Sequence, residues 1–213
     1  MRTEDLIQAL SRDVEPTAPM HALWRLWMLA VAGFVVAGLL TAFLLGVRPD
    51  YVEGLVAPDT AMKFAFTAGV AIATWPALIR VARAGELGGW RRDILGLPFA
   101  AIALAATIQL GFARYANWSD LFFDQSWSLC LPMVTLLSLP IYLAVGLVLR
   151  RMAPVDLSQA GFVAGLFAGG LGALAYTLHC QADDMPYVAV FYSLAILVAA
   201  ALGGLAGPRI LRW

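Results

Sequence analysis

The residues best equipped for chemistry lie in TLHCQADDMPY, residues 177–187, where His179 and Cys180 are followed by Asp183 and Asp184. The chain of 213 residues has two cysteines and two histidines, and the other cysteine, Cys130, stands in WSLCLP. Two thiols can close one disulfide or give soft donors to a zinc-like or cadmium-like ion, with the imidazole and carboxylates completing a mixed ligand set. On a regular helix the neighbours His179 and Cys180 point about 100° apart, so the helix end must unwind before both face one ion. The plainer alternative makes each cysteine a small buried hydrophobe and His179 an interfacial polar residue. Which reading applies depends on whether the fold carries Cys130 to Cys180.

Composition fixes the class of fold. The chain is 62% hydrophobic and 13% charged, with a mean hydropathy of +0.80, whereas soluble domains carry about 25% charged residues. Several apolar runs exceed the roughly 20 residues that cross a bilayer as helix. The expected fold is all-α: a polytopic membrane protein with six transmembrane helices over 23–213 and a cytoplasmic N-terminal segment, 1–22. The spans are read as 23–46, 61–80, 94–113, 127–149, 160–180 and 187–207. The first is too long, and its leading segment too acidic, for a cleavable signal peptide. A net charge of zero gives no reason to expect nucleic acid as a direct partner, and the lipid bilayer is the first partner implied.

Loop charge gives the orientation. Arg2, Arg12, Arg25, Arg80, Arg83, Arg91, Arg92, Arg150, Arg151, Arg209 and Arg212 fall on one side, 11 of the 14 basic residues. The other side holds Arg48, Arg114 and Lys63, at the mouth of span two, among Asp50, Glu53, Asp59, Asp120, Asp124, Asp183 and Asp184. The positive-inside rule therefore puts both termini in the cytoplasm. Cys130 then lies near the outer end of span four, and Cys180 ends span five at the same face. With a rise of about 1.5 Å per residue, both thiols sit within roughly 5 Å of the oxidising interface. Packed helix axes about 8–10 Å apart permit the pair without requiring it. Glycines four apart in spans five and six (Gly161, Gly165, Gly169; Gly203, Gly207) allow close backbone approach, within one chain or between chains, and the oligomeric state stays open.

The N-terminal segment MRTEDLIQALSRDVEPTAPMHA reads as one short amphipathic helix. Leu6, Ile7, Leu10 and Val14 form the stripe, Asp5 suits the first turn and Pro16 ends it. Glu4, Asp5, Asp13 and Glu15 outnumber Arg2 and Arg12, whereas helices that lie on anionic lipid are usually basic. An acidic helix this short suits a groove on a protein partner.

MRTEDLIQAL, LGVRPD, SWSLCLPMVTLLSLP, LHCQADDMPYVAVFYSLAI and GPRILRW together resemble the NrsF family of membrane-embedded anti-sigma factors, in order and over nearly the whole chain. The resemblance implies a protein that holds an extracytoplasmic-function sigma factor at the bacterial inner membrane, away from RNA polymerase. It implies that the N-terminal segment is the sigma contact and that Cys130 and Cys180 match a cysteine pair linked to heavy-metal stress. No resident cofactor is implied, only a transient heavy-metal ion. In this chain Gln181 and Ala182 separate the second cysteine from Asp183 and Asp184, a departure from a family pattern in which an acidic residue follows it closely. Two other readings are weaker. A thiol oxidoreductase at the outer face needs a second thiol pair or CxxC to relay electrons, and none is present. A transporter needs ionisable groups inside its spans, where Gln109 is the main polar residue.

Overall fold

A helix satisfies every backbone N–H and C=O within itself, which lipid cannot do for it. The long apolar runs accordingly form helices throughout. The computed structural model describes residues 19–49, 57–83, 85, 88–114, 118–122 and 127–212, and no strand occurs among them. The N-terminal stripe of Leu6, Ile7, Leu10 and Val14, with Asp5, lies outside the described residues.

Helix α1, Pro19–Leu40, runs into a π-helical turn at Thr41–Leu45. It is followed by α2 (Pro58–Ala82), α3 (Trp90–Phe112), a short α4 (Trp118–Phe122), α5 (Trp127–Met152) and α6 (Leu157–Tyr176). The last, α7, covers Met185–Ile210 and includes a π-helical turn at Val188–Tyr192. All but α4 are long and apolar enough to cross a membrane, which makes six. The sequence spans map onto them with one informative difference. Span five was expected to reach residue 180, but α6 stops at Tyr176. Leu178 and Cys180 keep the run apolar because the chain there is covered by protein.

α6 is the hub, packed against α7, α5 and α2, while α1 lies on α5 and α3 on α2. In its most apolar window 67% of α6 is buried, against 11% of α3, so α3 presents most of its surface to lipid. Small residues make the hub possible. A Cβ on Gly161 would fall 2.3 Å from Gly203 O, one on Gly165 2.5 Å from Ala199 O, and one on Gly207 2.2 Å from Leu157 O. Gly172 approaches the Ser138 backbone of α5, and Gly33 of α1 approaches Ile141. The glycine stripes of α6 and α7 therefore pack within one chain, where van der Waals contact replaces the hydrophobic drive that lipid removes.

Hydrogen bonds reinforce the same seam. Pro208 lacks an N–H for the carbonyl of Gly204, and Ser158 Oγ donates to that carbonyl instead at 3.2 Å. Tyr142 Oη donates to Gly203 O at 2.9 Å. Asp156 caps α6, its Oδ1 accepting from the N–H groups of Ser158 and Gln159, both at 2.9 Å, as an N-cap carboxylate should.

Candidate functional site

Because successive spans alternate in direction, one end of the bundle gathers the starts of α2, α5 and α7 and the ends of α3 and α6. That is the acidic end of the sequence reading, and it carries both thiols. The opposite end holds Arg80 and Arg83 at the end of α2, Arg150 and Arg151 at the end of α5, and Arg209 and Arg212 at the end of α7.

At the acidic end the chain leaves α6 through a strap, residues 177–184, that folds back under the helix ends. The N–H groups of His179 and Cys180 both donate to Tyr176 O, at 3.0 and 3.1 Å, so α6 ends in a tight turn. The strap then runs without regular structure to Met185. Cys180 and Ala182 are buried within it. The unwinding that a joint role for His179 and Cys180 demanded has thus occurred, but it does not turn them toward one ligand. His179 Nδ1 lies 3.1 Å from Gly46 O, which places its proton on Nδ1. Gly46 presents that carbonyl at φ +81°, a backbone angle that glycine adopts without strain.

Both cysteines are free and buried, Cys130 wholly so. Both belong to one buried core. Three buried tyrosines wall the pair. The Tyr176 and Tyr187 rings lie 6.1 and 6.3 Å from that of Tyr192. Their hydroxyls have no hydrogen-bond partner among the described residues. Tyr187 lies near Cys130 and Tyr192 near Cys180.

Lys63 is the residue the sequence reading underrated. Placed at the mouth of span two, it is in fact completely buried. An ammonium carries three donors, and each finds an acceptor. Lys63 Nζ donates to Cys180 O and Ala182 O, both at 2.9 Å, and ion-pairs with Asp183 Oδ1. The other carboxylate oxygen, Asp183 Oδ2, accepts from Arg48 Nη1 at 3.0 Å and from Thr60 Oγ1 at 2.6 Å. Burial pushes the Asp183 carboxyl up, but Lys63, Thr60 and Arg48 outweigh it and hold it below the ordinary carboxylate value. The next residues are tied to α3: Gln109 Nε2 donates to Asp184 Oδ1 at 3.1 Å, and Met185 N–H donates to Gln109 Oε1 at 2.8 Å. One sequence signal pointed here: a lone lysine within an apolar span demands a named partner.

This arrangement does not assemble the expected mixed metal set. Asp183 is taken by Lys63, Arg48 and Thr60, Asp184 by Gln109, and His179 by Gly46. Among the described residues no group of three or more His, Cys, Asp or Glu side chains gathers to hold a metal ion. What the fold leaves at this end is two buried free thiols, Cys130 at the start of α5 and Cys180 within a strap fixed by buried charge.

Fold and site define a six-helix polytopic membrane protein with a buried thiol pair at one end of its bundle. Residues 10–213 match the family described as NrsF, negative regulator of sigma F. The chain belongs to the NrsF family. It is 34% identical over 213 residues to the "Probable anti-sigma-F factor NrsF" of Azospira oryzae. It is 38% identical over 222 aligned positions to the "Anti-sigma-F factor NrsF" of Caulobacter vibrioides, and both comparisons cover 100% of each chain. No solved structure matches.

Proposed function

We propose that this chain is a membrane-embedded anti-sigma factor that holds an extracytoplasmic-function sigma factor at the inner membrane, and releases it when the outer thiols are modified. The observation that carries this reading is the end-to-end similarity to two anti-sigma-F factors, on a chain built to span a bilayer. The role is regulatory, and the chain acts by binding rather than by catalysis. Arginine asymmetry supports cytoplasmic termini, and the acidic amphipathic stripe around Leu6, Ile7, Leu10 and Val14 supports a sigma contact there.

The placement of the thiols supports their role as the point where a signal enters. An oxidant joining Cys130 Sγ to Cys180 Sγ takes two electrons and frees two protons, and a thiophilic metal ion takes the same two sulfurs as a soft pair. Either event draws the start of α5 toward the strap. α5 touches α1 backbone to backbone at Gly33 and Ile141, and α1 leads back to the N-terminal segment. Moving a grip from 1:99 to 99:1 takes about 5.5 kcal/mol of differential stability, a fraction of the roughly 10 kcal/mol or more that a strong metal site supplies.

The test is a reporter for sigma-F-dependent transcription. Deleting the chain raises expression and resupplying it represses; unchanged expression in the deletion contradicts the anti-sigma role. C130S/C180S represses but no longer answers oxidant or cadmium. A double variant that still responds contradicts only the thiol part.

A further inference from the structure

The strap beside Cys180 has an unusual anchor. Its carbonyls at positions 180 and 182 point into the bundle, away from water and from any helix ladder, where an unpaired carbonyl is destabilising. Lys63 supplies both donors. The lysine is then a fully buried cation, tolerated only with a countercharge, and Asp183 of the same strap provides it. Arg48, from the α1–α2 connection, and Thr60, from α2, hold that carboxylate in place. Three acceptors on the strap thus converge on one ammonium of α2, and one of them is the carbonyl of Cys180 itself.

We propose that Lys63 is a positioning residue for the thiol site: with Asp183 it forms a latch that holds the strap, and Cys180 within it, docked against the bundle and so sets the access of reagents to that thiol. The latch can be read without any sigma factor, so its failure and that of the anti-sigma reading are distinguishable. The signal that modifies Cys180 must first find the strap open, and the strength of the latch fixes how often that occurs.

The experiment is labelling by N-ethylmaleimide, a membrane-permeant thiol reagent, of the full-length protein in membranes, in a C130S background that leaves Cys180 as the only thiol. K63M and D183N are expected to label about tenfold faster or more, and K63M/D183N no faster than the faster single variant, because the two residues act as one unit. D59N, which changes an exposed carboxylate on the same helix, is expected to label at the parental rate. Folding is followed with Ala164→Cys in a C130S/C180S background, a fully buried position in the middle of α6, which must stay unlabelled when K63M or D183N is added. Parental rates in K63M and D183N overturn the latch, as do single effects that multiply in the double variant. Labelling at position 164 also overturns it, since the lysine would then hold the whole fold rather than the strap.

Discussion

The seam between α6 and α7 makes a quantitative claim. In Gly161→Ala the new methyl would lie 2.3 Å from Gly203 O and 2.8 Å from Gly207 Cα. Both are backbone atoms, so no rotamer change relieves the clash. Carbon contacts settle near 3.5 Å, so the helices must part locally by about 1 Å. That stretches Ser158 Oγ to Gly204 O, now 3.2 Å, past bonding range. Overpacking costs about 1–3 kcal/mol, and the lost interhelical hydrogen bond adds about 0.6 kcal/mol in a membrane protein. Alanine returns about 1 kcal/mol of helix propensity, leaving a net loss of about 1–3 kcal/mol. In detergent this should appear as a thermal midpoint lower by roughly 3–10 °C. The matched control is Gly96→Ala on α3, where a Cβ meets nothing within 4 Å, and its midpoint should hold or rise. If G161A is as stable as G96A, the close seam is not what joins these helices.

Two smaller perturbations follow from the same geometry. Tyr142→Phe removes only the bond to Gly203 O and should lower stability by about 0.6 kcal/mol, at most about 1.7, measured by thermal unfolding in detergent; a loss as large as that of G161A would contradict the division made above. Gln109→Leu leaves the Met185 N–H and the Asp184 carboxylate without their α3 partner, a loss of about 1–3 kcal/mol. Its local signature is faster amide hydrogen exchange at the start of α7, and unchanged exchange there would show that the clamp is unimportant.

Much of this was legible from sequence because lipid reduces the choices. An apolar run of sufficient length must be a helix, and the six spans, their alternation and the shared depth of Cys130 and Cys180 followed from hydropathy and loop charge. The end of α6 was not legible. Leu178 and Cys180 look like a continuing span, yet they are apolar because the strap lies beneath protein, and hydropathy does not distinguish lipid from a neighbouring helix. The latch was hidden for a different reason. A lysine near a span end ordinarily snorkels to water, and Asp183 reads as one more outer charge. Only the tertiary fold carries them together across the sequence, and it thereby withdraws Asp183 from any metal set. The glycine stripes gave close packing but not its partner, which the facing backbones of Gly161 and Gly203 identify as the same chain.

The central claim is that this membrane bundle holds a sigma factor. Its most direct test is affinity capture of the full-length protein from detergent-solubilised membranes, beside a variant lacking residues 2–14, with bound proteins identified by mass spectrometry. The account predicts a sigma factor with the full-length chain and none with the shortened one. Recovery with both would move the grip to the arginine-rich loops or the C-terminal GPRILRW, and recovery with neither would contradict the anti-sigma function.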